Sequence, residues 1–234
     1  MHICLLDIDG TLVLTGGAGQ TAFAHTLSRD FGIPEINRDV VFAGRSDRAI
    51  AMDFFRIHGI ASSSANWQRF CRGYVASLDE TLPTHEGSVL PGVQNLIDAL
   101  KSRGDVAIGL LTGNIHEAAR RKLSFYGLWE QFPFGGFGDE HEDRNDIAAA
   151  ALHAARAYVG NNGQPKQSSS IPAQHSLLVI GDTLNDVRCG QSIGARCVAV
   201  ATGHSTSDVL RTAGPDVVVE TLEDVEPILA LFQD

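Results

Sequence analysis

Four aspartates in two short runs carry the clearest chemical signal in this sequence. One run is Asp7-Ile8-Asp9-Gly10-Thr11, at the end of an apolar stretch that begins at Ile3. The other is Gly181-Asp182-Thr183-Leu184-Asn185-Asp186, directly after the apolar residues 177–180. Carboxylates are hard oxygen donors, suited to a cation such as Mg2+ that keeps several of its waters. Four such charges on one rim repel one another unless a cation sits among them. A third run, Leu110-Leu111-Thr112-Gly113-Asn114, closes another apolar stretch with a hydroxyl and a helix start, where free main-chain N–H groups take anions. A cation site beside an anion-binding loop suits phosphoryl chemistry. Taken singly, each run has a plain structural explanation. Asp7 and Asp9 could mark a turn after a strand, Thr112-Gly113-Asn114 an N-cap, and Asp182 with Asp186 a capped helix start.

The elements that must position these runs decide between the two explanations. Residues 3–8 read as a short buried strand that stops at the turn signal Asp9-Gly10-Thr11. Further strands are expected at 106–111, 133–137, 177–180, 196–200 and 217–219. Helices are expected between and after them, the first opened by Pro91-Gly92, then at 115–126, 146–159, 185–193, 207–212 and 222–232. Short apolar strands alternating with helices mean a parallel sheet covered on both faces. Ligands of such a sheet sit beyond the carboxyl ends of its strands, which is where all three runs fall. The strand at 133–137 leads into Asp139, Glu140, Glu142, Asp143 and Arg144, either a solvated acidic loop or a second cation site.

Between the first strand and the rest, the spacing is helical at 21–31, 47–58 and 64–82, as in Ile50, Phe54 and Ile57. The expected fold is α/β: a Rossmann-like parallel sheet core over 1–13 and 87–234, with an all-helical cap domain inserted at 14–86. Gly16-Gly17 and Glu86-Gly87 are the hinge candidates, and the Ser/Gln/Pro-rich stretch 161–174 reads as a loop without catalytic chemistry.

Composition narrows the function classes. The net charge of -10, from 18 basic and 28 acidic residues, argues against nucleic acid as a partner. No apolar stretch approaches the roughly 20 residues that cross a bilayer, so no membrane partner is expected. Cys4, Cys71, Cys189 and Cys197 form no CxxC and no zinc pattern, and no secretory signal is seen, so a cytoplasmic location is expected. Gly190-Gln191-Ser192-Ile193-Gly194 fits GxSxG literally, but a helix precedes it and a strand follows, the reverse of a nucleophile elbow.

With its three runs in this order at strand ends, the sequence resembles the haloacid dehalogenase (HAD) superfamily. The helical insert resembles the small cap of the phosphoglycolate-phosphatase-like and β-phosphoglucomutase-like branch. The resemblance implies a Mg2+-dependent phosphatase that hydrolyses a small phosphate monoester, a phosphorylated metabolite, through an aspartyl phosphate. It implies Asp7 as nucleophile and Asp9 as general acid and then base. It implies Mg2+ held by Asp7, the carbonyl of Asp9 and Asp182, with Asp186 in support, and phosphate held by Thr112, Gly113 and Asn114. Dehalogenase members lack the second aspartate, so Asp9 disfavours dehalogenation. The alternative is a sugar phosphomutase of the β-phosphoglucomutase type. A receiver-type module also forms an aspartyl phosphate, but after a middle strand and with no cap. An inactive relative is disfavoured because every acidic motif position is filled.

Residues 42–47 resemble the cap loop that reaches over the substrate in this family, which makes Arg45 the specificity candidate. The family also places a Lys or Arg after the strand that follows the second run. The common Lys-Pro form is absent, and Arg144 is preferred over Lys122. Lys122 lies about 10 Å down its helix from the end facing the rim, at ~1.5 Å per residue, a place suited to a structural lysine with a buried stem.

Overall fold

The structure, a computed structural model, describes residues 1–34, 40–162 and 177–232. In chain order the elements are β1 (His2–Leu6), β2 (Val13–Leu14), α1 (Ala18–Phe31), α2 (Asp47–Ile57), α3 (Ser64–Thr81), β3 (Ser88–Val89), α4 (Val93–Ser102), β4 (Val106–Leu111) and α5 (His116–Phe125). They continue as β5 (Gly135–Gly136), α6 (Arg144–Asn162), β6 (Leu177–Gly181), α7 (Leu184–Ser192), β7 (Arg196–Val200), α8 (Ser207–Arg211), β8 (Val217–Val219) and α9 (Glu226–Leu229).

Strands β5-β4-β1-β6-β7-β8 form one parallel sheet, in that order. Its central strand, β1, is apolar at both parities because both of its faces are covered. Cys4 and Leu6 pack with Leu96, Ile97 and Ala119 of α4 and α5, while Ile3 and Leu5 pack with Ile147 and Ala151 of α6. Register then does the positioning. Leu6 is level with Leu110 of β4 and Ile180 of β6. Three neighbouring strands therefore end together, and Asp7, Thr112 and Asp182 leave the sheet side by side. Adjacent strands lie about 4.8 Å apart, so side chains at these ends can meet around one small ligand.

Helices α1, α2 and α3 form the cap between β2 and β3, built on a second apolar cluster of Phe23, Phe54, Phe70, Tyr74 and Leu78. The cap meets the core where Ile115 and Ala118, at the start of α5, join that cluster. The two crossings between cap and core pair with each other as a short antiparallel ribbon, Val13 opposite Val89 and Leu14 opposite Ser88. At Gly16 (φ 61°) an added Cβ would come within 2.2 Å of the Glu86 carbonyl oxygen, so the glycine permits this close approach.

Some expected elements differ. The strand expected at 133–137 is only Gly135–Gly136, at the sheet edge, where Cβ atoms would run into Leu110 and α6. The helix expected at 222–232 is reduced to α9 and a 3-10 turn, Ala230–Phe232, because Pro227 can sit only in a first helical turn. Arg144 does not precede its helix but opens it. In the stretch 161–174, Asn161 and Asn162 close α6, and 163–174 lies outside the described residues. Among the described residues no helix is long and apolar enough to cross a membrane.

Candidate active site

A cavity of about 470 Å3 opens where the sheet's carboxyl edge meets the cap. Asp7, Asp9, Thr112, Gly113, Asn114, Arg144, Asp182 and the cap residue Arg45 all line it. Asp186 lies just behind: Asp7, Asp182 and Asp186 each bring a carboxylate oxygen within 4.8 Å of the others. Gly10 (φ 86°) makes the closeness possible, since a Cβ there would come within 2.3 Å of Asp182 Oδ2.

This corner is electrostatically incomplete. Burial and the charge of Asp186, opposed by Arg144, raise the Asp7 carboxyl well above its ordinary range. Burial and the charges of Asp186 and Asp7 do the same to Asp182. Arg144 donates from Nη2 to Asp186 Oδ1 and stands 3.5 Å from Asp7 Oδ1. With all three carboxylates ionised, one guanidinium leaves a charge of about −2, which adds to burial in raising Asp7 and Asp182. Asp7 Oδ1 is buried without a hydrogen-bond partner. Oxygen ligands of this number and charge fit a hard divalent cation, which would cancel the excess. Asp186 also works as a cap, its Oδ2 accepting from the main-chain N–H and the hydroxyl of Thr183. The helix-start explanation from sequence thus holds for Asp186, and the same residue stands in the acidic cluster.

Asp9 turns the other way. Its carboxylate accepts from Lys122 Nζ at 2.7 and 2.9 Å and from Asn114 Nδ2 at 2.8 Å. Asn114 Oδ1 accepts from the same Lys122 at 2.7 Å, and Asn114 Nδ2 also donates to Thr112 Oγ1. Lys122 therefore reaches the rim, contrary to the expectation that it stays some 10 Å below. Side chains on a helix point toward its N-terminus, and the long stem of lysine spans the remaining distance. At 4% exposure its ammonium is committed to this corner. Arg144 and Lys122 both line the cavity, one in the carboxylate cluster and the other beside Asp9.

The cap is fastened to the loop after β4 by main-chain and side-chain bonds. Asp47 N donates to Gly113 O at 2.8 Å, and Ile115 N donates to Asp47 Oδ2 at 2.9 Å. Burial raises the Asp47 carboxyl to about 7, against the pull of Lys122. Ser46 Oγ donates to Glu142 O, Arg48 Nη1 to Asp139 O and Asn185 Nδ2 to Gly44 O. Gly113 is where the chains touch: a Cβ there would lie 2.3 Å from the Arg45 carbonyl oxygen. The acidic loop after β5 thus serves as a docking strip, and Asp139 Oδ2 also accepts from His116 N at the start of α5. Arg45 lines the cavity with its guanidinium paired to Asp53 at 2.7 Å.

Two cavity residues carry no mark of a site in the sequence: Asp47 and Tyr74. Asp47 follows the N-cap Ser46 and looks like an ordinary first-turn acid. Tyr74 falls on the apolar spacing Phe70, Tyr74, Leu78, which announces a core face and nothing about its hydroxyl. His204, shortly after the strand at 196–200, also lines the cavity.

Comparison with known proteins agrees with this geometry. A family model described as HAD-hydrolase-like matches residues 146–225. A phosphoglycolate phosphatase of Pectobacterium atrosepticum is 32% identical over 229 residues, covering 95% of this chain and 90% of the relative. One of Chromobacterium violaceum is 24% identical over 226 residues, covering 95% and 94%. The crystal structure of a hydrolase from Pseudomonas syringae superposes with a TM-score of 0.71 at 19% identity, over 100% of both chains.

Proposed function

This chain belongs to the haloacid dehalogenase superfamily, on its phosphoglycolate-phosphatase-like branch, and from that premise we propose that it hydrolyses a small phosphorylated metabolite, a phosphate monoester, through an aspartyl phosphate on Asp7. The observation that carries the proposal is Asp7 Oδ1, buried, without a hydrogen-bond partner and lining the cavity beside Arg144. A carboxylate oxygen so placed is free to form a bond to phosphorus.

Asp7 attacks phosphorus as the bond to the leaving alcohol oxygen breaks, and Asp9 gives that oxygen a proton. Water then attacks the phosphoryl group, Asp9 takes the water's proton, and inorganic phosphate leaves with Asp7 restored. Such proton transfer is typically worth 10²–10⁴-fold. Lys122 and Asn114 orient Asp9 for both steps. Thr112, Gly113, Asn114 and Arg144 are assigned to the phosphate oxygens, the guanidinium bridging phosphate and carboxylate by its planar fork. Mg2+ is the proposed cofactor, held by Asp7, the Asp9 carbonyl and Asp182 with Asp186 behind, and it supplies charge neutralisation and polarisation of the phosphoryl group. The cap, taken as residues 14–86, closes over the leaving group, with Arg45 as the specificity residue. The cytoplasm is the proposed location, a reducing compartment that suits four cysteines all present as free thiols.

A phosphate-release screen over a panel of small phosphate esters, with Mg2+ and with EDTA, tests this. Release that needs Mg2+ and vanishes in Asp7→Asn is the expected result. No release from any ester, p-nitrophenyl phosphate included, would overturn it. An isomerised sugar phosphate without free phosphate would move the assignment to a phosphomutase.

A further inference from the structure

Beyond the reacting end, the cavity wall is made by the cap, and its chemistry differs from that of the core. Tyr74 of α3 is 2% exposed, yet it lines the cavity and its hydroxyl has no hydrogen-bond partner among the described residues. That hydroxyl is not enclosed but opens to the cavity, so it is available to a molecule bound there. Its position is defined by Gly19 of α1: a Cβ there would lie 3.7 Å from Tyr74 Oη and 3.3 Å from Lys122 Nζ. The tyrosine hydroxyl thus opens within a short chain's length of the corner that holds Asp9. Phe23, Phe42, Ile50 and Leu14 supply the apolar wall around it, with Phe23 edge-on to Phe42 at 5.3 Å.

The charges of the cavity point the same way. Each Lys or Arg among its described lining residues already faces a carboxylate: Lys122 faces Asp9, Arg144 faces Asp186 and Arg45 faces Asp53. Glu86 adds negative charge to the lining from the crossing, and Asp47, with its carboxyl raised to about 7 by burial, adds part of another from the cap. A second anionic group on the substrate would meet excess negative charge once its phosphate was bound, and like charges brought together are strongly penalised.

Resting on the phosphatase assignment above, we propose that the substrate's leaving group is a neutral alcohol with apolar surface and a hydrogen-bonding group for the Tyr74 hydroxyl. A carboxylate-bearing alcohol such as glycolate is disfavoured. Tyr74 is a substrate-binding residue for the alcohol's far end and takes no part in proton transfer.

A matched four-carbon series tests this: butyl phosphate, 4-hydroxybutyl phosphate and 3-carboxypropyl phosphate, assayed by phosphate release with wild type and Tyr74→Phe. For wild type, the two neutral esters should exceed the carboxylate ester roughly tenfold or more in kcat/KM. Tyr74→Phe should raise KM for 4-hydroxybutyl phosphate about threefold to tenfold, the size of one neutral hydrogen bond, with kcat held. KM for butyl phosphate and the melting temperature should not move, whereas a merely structural hydroxyl would shift the melting temperature and leave the two esters alike. A carboxylate ester hydrolysed as well as the neutral ones overturns the assigned class. An equal effect of Tyr74→Phe on both neutral esters, or none on either, overturns the assigned contact. Failure of the phosphatase assignment looks different: no phosphate from any of the three or from p-nitrophenyl phosphate.

Discussion

The two walls of this cavity solve opposite problems. The core wall gathers Asp7, Asp182, Asp186 and Arg144 at only 2–8% exposure, a concentration of charge that only partners and a cation can stabilise. The cap wall mixes aromatic and aliphatic side chains with the Tyr74 hydroxyl, the Gln20 amide and the charged Arg45 and Asp47. Chemistry common to many phosphate esters needs the first wall to be invariant in geometry, and the sheet register provides that. Choice among esters needs a wall that can vary without disturbing the register, and a helical insert tied on by two short crossings can do so.

The largest effect should come from the core wall. Asp7→Asn keeps the shape of the side chain but removes the attacking charge. We expect a loss of turnover of roughly 10⁴-fold or more, about 5.5 kcal/mol of barrier, read as steady-state phosphate release. The fold should survive, because asparagine relieves the repulsion with Asp186 and Asp182. Near-normal turnover in a folded variant would break the covalent mechanism and with it the division of labour between the walls.

Next come the two buried cations. Arg144→Ala removes a partner of Asp186 and the positive charge beside Asp7, so kcat/KM should fall at least tenfold, roughly 1.4 kcal/mol. Stability should also fall by about 3–5 kcal/mol, the usual result of leaving a buried carboxylate unpaired. Lys122→Ala should act mainly through Asp9 and lower kcat, with a smaller stability loss, because the Asp9 side chain is 42% exposed and can be rehydrated. Kinetics and chemical denaturation on both variants separate them. If Lys122→Ala abolishes turnover while Arg144→Ala does not, the phosphate-binding cation is Lys122.

The same contrast explains what the sequence discloses. Asp7, Asp9, Thr112, Asp182 and Asp186 sit in contiguous runs that end strands, and the parallel register carries adjacent strand ends to one place, so their convergence follows from the strand pattern. Lys122 did not follow from it, since helical rise locates a Cα and not the tip of a side chain several bonds longer. Tyr74 was hidden because an apolar spacing of four describes a core residue equally well. The paired crossings β2 and β3 are two residues each, too short to carry a period. Helix boundaries in the cap were legible to within a few residues, as with α2 at Asp47–Ile57, because the Ser46 N-cap and the amphipathic spacing agree.

A middling effect belongs to the seam between the walls. Asp47→Ala takes the carboxylate from the Ile115 N–H, the bond that ties α2 to the start of α5. A buried donor left alone costs about 1–3 kcal/mol. The closed cap should be weakened by a similar amount, and kcat/KM should drop about fivefold, mostly in KM, if closure assembles the site. Asp47→Asn keeps an acceptor oxygen and should restore most of the loss. An equal loss in both variants would show that the charge of Asp47, and not its bond to Ile115, matters.

The smallest effect tests whether the cap wall is neutral by pairing. Asp53 holds Arg45 at 2.7 Å and also accepts from Arg56, which is largely exposed. Asp53→Asn keeps the shape and releases the Arg45 guanidinium toward the cavity. Both partners of this bridge are partly exposed, so its strength is modest, in the range of about 0–1 kcal/mol. Hydrolysis of 3-carboxypropyl phosphate relative to butyl phosphate should therefore improve by only about threefold. Arg45→Ala should lower that ratio slightly and leave p-nitrophenyl phosphate almost unchanged, since that ester has no second anionic group to grip. If Asp53→Asn leaves the ratio where it is, Arg45 does not reach the leaving group, and its place in specificity passes to the Tyr74 side of the cap.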